Sequence, residues 1–456
     1  MTTDIPATDT PTTEPDTQPR ATSVAEALEK WSKRCEMKGT IEAAIGLARK
    51  MLTVDADLLD ADPWLLNCAN GVVDLRSGQL RPHDPALLMT RSTGTHYQGA
   101  DYTSGPPGAP SYWAQVVLTI CGGDPELAGF LRRWFGYAST GSVREQVFVV
   151  HWGDGANGKS TILDTVAATL GDYAMTAASG MLAGSSGHGA SSASGEAAAG
   201  AATPEVAALR GRRMVTAHET SDGVTLREGF VKRVTGGDRI VARQLYGDPF
   251  EFQPTHKLQL LTNSRPVVRG QDHGIWRRVR LVPYLVRFGT PEDVAAGHAR
   301  AVRDLALAER LATPEMRSEV LGWLVRGAVE WATTGLREPT VVLEASEAYR
   351  REQDRVGTFV HECCEVDTRS LAGGAAGAAG APDRWAEPLT LGMGGLYPAY
   401  ASWCKDAGAH PLSRQRFLAE VQRAVPGLVV RDAGVKGEGG RRRTVTLVTG
   451  LRLLPD

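Results

Sequence analysis

The apolar positions of this chain fall into blocks of two kinds. Helical blocks repeat apolar residues three and four apart. One runs from Val24 to about Gly46, and two lie within "YWAQVVLTICGGDPELAGFLRRWFGYASTG", broken at Gly122-Gly123. In another, Ile162, Leu163, Val166, Ala167 and Leu170 share a face ahead of Gly171, a natural helix stop. Short β-rich blocks stand between them. "WLLNCANGVVDLRSGQLRPHD" reads as strands around Asn70-Gly71 and Ser77-Gly78 turns, and "VFVVHW", "RMVTAHE" and "KLQLLTN" read as single strands. Ile240, Ala242 and Gln244 alternate against Phe250 and Phe252 about a Gly247-Asp248 turn, which predicts a β-hairpin. Strands alternating with helices predict an α/β core.

Polar and small-residue stretches divide the chain. Residues 1–23 are rich in Thr, Pro and Asp and are expected to be a disordered tail. Ala177 to Thr203 is nearly pure Gly, Ala and Ser, and is expected to be a flexible insertion because it has too little apolar surface to offset its ordering entropy. A similar run, 371–383, reads as a linker. The expected domains are therefore 24–140, mainly helical; 141–340, the α/β core; 341–370, a helical connector; and 384–456, a C-terminal domain.

Composition narrows this little. The formal net charge is -2, so no general coat of positive charge is present, although basic runs are. None of the six cysteines forms C-x-x-C, which supports neither a zinc ribbon nor a disulfide framework. No apolar run approaches membrane-spanning length and the first residues lack a signal-peptide pattern, so a cytoplasmic protein with no membrane partner is expected.

The chemistry concentrates after "VFVVHW". Gly153, Gly158, Lys159 and Ser160 fit G-x-x-x-x-G-K-[ST], with a strand before and a helix after. Backbone N–H groups from Gly153, Asp154, Gly155, Ala156, Asn157 and Gly158 can turn inward as an anion nest, with Lys159, Ser160 and Thr161 opening the helix. The natural ligand is a polyphosphate, with Lys159 on the β- and γ-phosphates and Ser160 on Mg²⁺. ATP and Mg²⁺ are the expected cofactors.

Downstream, "LRGRRMVTAHET" and "VKRVTGGDRIVARQLYGDPFEFQPTHKLQLLTNSRPVVRGQDHGIWRRVRLVPY" make the chain similar to the phage and plasmid primase-helicase family, whose superfamily 3 helicases are built on an AAA+ ATPase core. "LLNCANGVVDLRSGQLRPHD" and "WFGYASTGSVREQ" resemble that family's helicase-associated N-terminal region. The resemblance implies that Glu219 is the Walker B carboxylate, acting as base and sharing Mg²⁺ with Ser160, and that Asn263 is the sensor that orients water. His218 and Thr220 flank Glu219 where relatives often pair two acids. It implies an arginine finger at Arg277 or Arg278, with Arg278 the first choice, acting on a neighbour's ATP in a homohexamer. It implies a pore hairpin, with Lys232, Arg243, Tyr246 and Lys257 as DNA contacts.

The C-terminal segment reads helix, turn, helix, then two strands around a basic tip, the order of a winged helix. Arg414 and Arg416 near a helix start, and Lys436, Arg441, Arg442 and Arg443 on the wing, are the DNA candidates there. The resemblance implies a hexameric helicase on single-stranded and forked DNA, replicating a phage, prophage or satellite element in a bacterial cytoplasm. A separate primase and host replication proteins are implied partners, since no priming or zinc element is legible in this chain. The alternatives are an AAA+ origin-binding switch without unwinding, and an unrelated P-loop ATPase or kinase.

Overall fold

Five short strands organise the chain, four of them largely buried and Ala174–Thr176 a more exposed edge. In the computed structural model they are β1 (Phe148–Trp152), β2 (Ala174–Thr176), β3 (Met214–Glu219), β4 (Lys257–Thr262) and β5 (Val279–Pro283). All run parallel, in the order β5-β1-β4-β3-β2. The structure describes residues 23–106, 108–178, 180–184, 203–219, 224–366, 389–390, 395–436 and 442–454. Most of the expected tail, most of the expected insertion and the 371–383 linker lie outside these residues.

The period-2 alternation of strand side chains sorts the sheet into two cores. Val149, Met214, Leu261 and Val282 face a core built with helices Tyr112–Ile120, Pro125–Ser139 and Pro314–Thr334. Phe148, Val150, Val215, Leu258, Leu260 and Leu281 face the other, which holds helix Glu228–Val234 and the inner side of a hairpin. Helices Pro125–Ser139 and Pro314–Thr334 touch backbone to backbone, because a Cβ at Gly136 or Gly327 would collide with the facing main chain.

The chain divides into two units, Met1–Leu58 and Leu59–Asp456. The described part of the first holds helices Val24–Cys35 and Lys38–Met51, where one continuous helical block was expected. Ser23 and Glu26 close a capping box at its start, and neither helix has a buried residue. The expected 24–140 domain is thus divided: its later part belongs to the second unit, as helices that cover the parallel sheet.

The expected flexible insertion also starts too early. Ala177, Met181 and Leu182 are buried in the second core, and Ala183–Gly184 pairs with Thr225–Leu226. The C-terminal core in turn reaches upstream of the linker. Val356, Phe359 and Val360 of helix Arg355–Cys363 pack with Tyr400, Phe417 and Val421 from helices Leu396–Asp406 and Arg414–Ala424, beside antiparallel strands Val429–Lys436 and Arg442–Thr449. No described helix is long and apolar enough to cross a membrane.

Candidate functional site

Three strands end at one level. Thr262 lies opposite both Trp152 and Glu219, so the residue after β1, the residue after β4 and the last residue of β3 meet along the C-terminal edge of the sheet. The β1 end turns through Gly153–Gly158 into helix Lys159–Leu170. Backbone at Gly155 (φ 93°) and Gly158 (φ 80°) is left-handed, which glycine adopts without strain and which aims N–H groups inward. Ala156 shares that region at φ 47°, and its carbonyl is held by the Phe288 N–H at 2.7 Å. The first intrahelical bond runs from Ile162 N–H to Gly158 O, so the N–H groups of Lys159, Ser160 and Thr161 precede the helical ladder. Such a helix start favours an anion.

Lys159 is buried and serves as the centre of this edge. Its Nζ donates to the Gly153 carbonyl and, at 3.2 Å, to Asn263 Oδ1. Burial pulls its pKa down to about 8, opposed by the nearby Asp154 carboxylate. A cavity of about 390 Å³ opens over the loop and is lined by Lys159, Ser160, Thr161, His218 and Asn263. A second cavity of about 810 Å³ shares Gly158, Ser160 and Thr161 and has Val116, Ile120 and Leu311 in its wall. The exposed Ser160 borders both. No group of three or more His, Cys, Asp or Glu among the described residues could hold a metal. The Ser160 hydroxyl and the oxygens of a bound polyphosphate are hard oxygen donors of the kind that suits Mg²⁺.

Beneath the loop lies a polar chain that sequence patterning did not single out. His151 of β1, fully buried, contacts Tyr284 Oη at 2.9 Å through Nδ1 and Gln259 Oε1 at 3.0 Å through Nε2. Gln259 Oε1 also accepts from Trp134 Nε1, and Gln259 Nε2 donates to Thr216 Oγ1 at 3.1 Å. The amide oxygen can only accept, so the proton of neutral His151 sits on Nε2 and Tyr284 donates to Nδ1. Burial drives the His151 pKa down to about 4, which keeps the ring neutral. The chain ties β1, β4 and β3 together just below their functional ends. Tyr284 also accepts from Asn157 Nδ2 of the loop at 3.3 Å through its carbonyl.

The other sequence candidates separate by burial. Ile240–Arg243 and Pro249–Phe252 form the expected hairpin, but its tip is the longer Gln244–Asp248 loop, with Tyr246 at φ 59° and 98% exposed. Arg243 Nε donates to the Gly247 carbonyl at 2.9 Å inside that loop. Lys232 forms an ion pair with Asp272 at 2.6 Å. Lys257 corrects the sequence reading: it opens β4 rather than the hairpin, and its buried ammonium donates to the carbonyls of Thr140, Ser142 and Thr255. No surface contact is open to it.

Arg277 and Arg278 also part company. Arg278, the first choice for the finger, is buried and donates to Thr235 Oγ1 and the Gly274 carbonyl. Arg277 is exposed, with Nη2 3.2 Å from Gln146 Oε1. Both stand ahead of Val279, which pairs with Phe148 at the start of β1. The five steps from Phe148 to Gly153 span about 17 Å of strand, so neither arginine shares the edge that carries its own Lys159. Arg414 and Arg416 are exposed on the first turn of Arg414–Ala424, Arg414 lying over the Tyr397 ring at 5.6 Å. Arg442 and Arg443 open strand Arg442–Thr449, and Arg441 lies outside the described residues.

A parallel sheet whose C-terminal edge joins a glycine-rich loop to a strand-end acid and amide has the arrangement of a P-loop phosphate-binding protein. The model of the D5 N-terminal-like family matches residues 5–122. A protein of Acanthamoeba polyphaga mimivirus that carries a helicase name is 27% identical over 311 residues, covering 66% of this chain and 30% of that protein. A helicase-named protein of frog virus 3 is 31% identical over 232 residues, covering 49% and 22%. A primase-named protein of African swine fever virus is 26% identical over 343 residues, covering 71% and 33%. This chain therefore spans about a third or less of the length of these relatives. Among solved structures, the apo C-terminal region of NrS-1 is 11% identical, covers 78% of this chain and 79% of that one, and has a TM-score of 0.40. The family model and these relatives support a place for the chain among the phage and viral primase-helicases.

Proposed function

We propose that the chain is an ATP-dependent DNA helicase of superfamily 3, an AAA+ ATPase that works as a homohexamer in replication of a phage, prophage or satellite element. The observation that carries this reading is the Lys159–Asn263 contact, which sets the phosphate loop and the β4 amide on one cavity in register with the Glu219 strand end. The loop N–H groups and Lys159 would hold the triphosphate, and the larger cavity has room for the nucleoside. Ser160, with Glu219 through water, would hold Mg²⁺, which supplies positive charge to the phosphates. Glu219 takes the proton of the attacking water, and Asn263 orients that water without titrating.

The finger falls to Arg277. It is exposed and lies at the opposite edge from its own loop, so it would serve a neighbour's nucleotide, while Arg278 is engaged within its own fold. Tyr246, standing free at the hairpin tip, is the side chain best placed to stack on a base in a central pore. The 384–456 segment is read as a winged helix that adds duplex contacts through Arg414, Arg416, Arg441, Arg442 and Arg443. The direct test is unwinding of a forked DNA duplex with either tail in turn. Strand separation that needs ATP and one tail polarity, three-prime to five-prime by family resemblance, is expected. DNA-stimulated ATPase with no strand separation would instead indicate an origin-binding switch.

A further inference from the structure

Three arginines with no part in the nucleotide chemistry line a cavity of about 470 Å³ together with Gln244 and Phe250 of the hairpin. Arg91 comes from the loop after the Leu65–Arg81 strands, and Arg210 and Arg212 from the turn that leads into β3. Arg91 and Arg212 direct their guanidinium donors to main-chain oxygens. Arg91 Nη2 donates to the Arg210 carbonyl at 2.7 Å and its Nη1 to the Asp172 carbonyl at 3.4 Å. Arg212 Nη1 donates to the Asp172 carbonyl and, at 3.3 Å, to that of Ala174. These acceptors are neutral main-chain oxygens. The Asp172 carboxylate itself accepts from the Ser92 N–H at 3.1 Å.

Arg210 lies over the Phe250 ring with its guanidinium carbon 5.4 Å from the centroid. The Nε atoms of Arg91 and Arg212 are buried without a hydrogen-bond partner. Burial first, and then repulsion from the neighbouring Arg91, lowers the pKa of Arg212, opposed by the Asp172 carboxylate. An anion would relieve that repulsion, and the planar guanidinium fork fits phosphate oxygens.

The cavity lies against Gln244 and Phe250 at the loop end of the hairpin, where Tyr246 is exposed. We propose that Arg91, Arg210 and Arg212 form a binding site for the phosphate backbone of single-stranded DNA, beside the hairpin tip. The proposal rests on the nucleic-acid reading above. It makes the D5 N-terminal-like stretch, which supplies Arg91, part of the DNA track.

The test is binding of a labelled oligothymidylate to the full chain by fluorescence anisotropy across a salt titration. Each lost phosphate contact should flatten the plot of log affinity against log salt by about 0.7. Arg210→Gln should therefore lower the slope by about 0.7 and the Arg91→Gln/Arg210→Gln pair by about 1.4, while Arg210→Lys keeps the wild-type slope. Tyr246→Ala should weaken binding at every salt without changing the slope. An abasic oligomer should retain the arginine dependence and lose the Tyr246 dependence.

Because Arg91 also ties two loops together, Arg210→Gln carries the test alone if Arg91→Gln lowers the melting temperature. Wild-type slopes in the arginine variants, with weakened binding in Tyr246→Ala, would overturn the site and leave the nucleic-acid reading standing. An arginine dependence that vanishes on the abasic oligomer would overturn phosphate recognition. A wild-type chain that binds no single strand at any salt would overturn both.

Discussion

The ammonium of Lys159 donates to Asn263 Oδ1 at 3.2 Å, joining the phosphate loop to the strand that follows the hairpin. Burial holds the Lys159 pKa at about 8, and only the protonated form serves a polyphosphate. ATP affinity should therefore be full below pH 8 and weaken above it, approaching tenfold per pH unit until the higher pKa of the nucleotide-bound lysine is reached. Nucleotide titrations from pH 7 to 9.5 would check this. A dissociation constant that stays flat across the range would mean the lysine is not engaged as a cation.

Gln259 sits where four side chains meet. Gln259→Leu strands the Trp134 and His151 N–H groups in a buried site and should cost about 2–3 kcal/mol of stability. Denaturant unfolding would measure it. A cost below about 0.5 kcal/mol would mean that the polar chain across the sheet contributes little.

Lys257→Met should lower stability by about 1–3 kcal/mol, because three carbonyls lose their shared donor. The salt dependence of DNA binding should not change. A flattened salt slope at unchanged melting temperature would restore Lys257 as a DNA contact.

Leu182→Ala should cost about 2–4 kcal/mol, as for other buried leucines, despite its place in a stretch of Gly, Ala and Ser. Thermal melting of the variant beside wild type would decide it. An unchanged midpoint would make the 177–184 segment dispensable.

The loop around Lys159 was legible in the sequence because its spacing, its glycines and both flanking elements are local. So were the sheet strands β1, β3 and β4, whose short apolar runs stand between helical blocks. What escaped depends on contacts between distant segments. Lys257 reads as a DNA contact and Arg278 as an arginine finger, yet their charges are spent on carbonyls and a hydroxyl brought in by the fold. His151, Gln259 and Thr216 carry no motif, and only the parallel register of β1, β4 and β3 brings them together. Met181 and Leu182 were two apolar residues too few to outweigh the small residues around them.

Arg277→Ala should bind ATP normally and hydrolyse it poorly, by on the order of a thousandfold. Lys159→Ala should fail for its own reason. In a mixed ring, some interfaces pair an intact Lys159 with an intact neighbouring Arg277. The most direct measurement is ATPase rate against mixing ratio for these two proteins, under conditions where subunits exchange and mixed oligomers are demonstrated. Partial recovery of activity, greatest near equal proportions, is predicted. A rate that stays at background at every ratio would contradict a site completed by the neighbouring subunit's arginine.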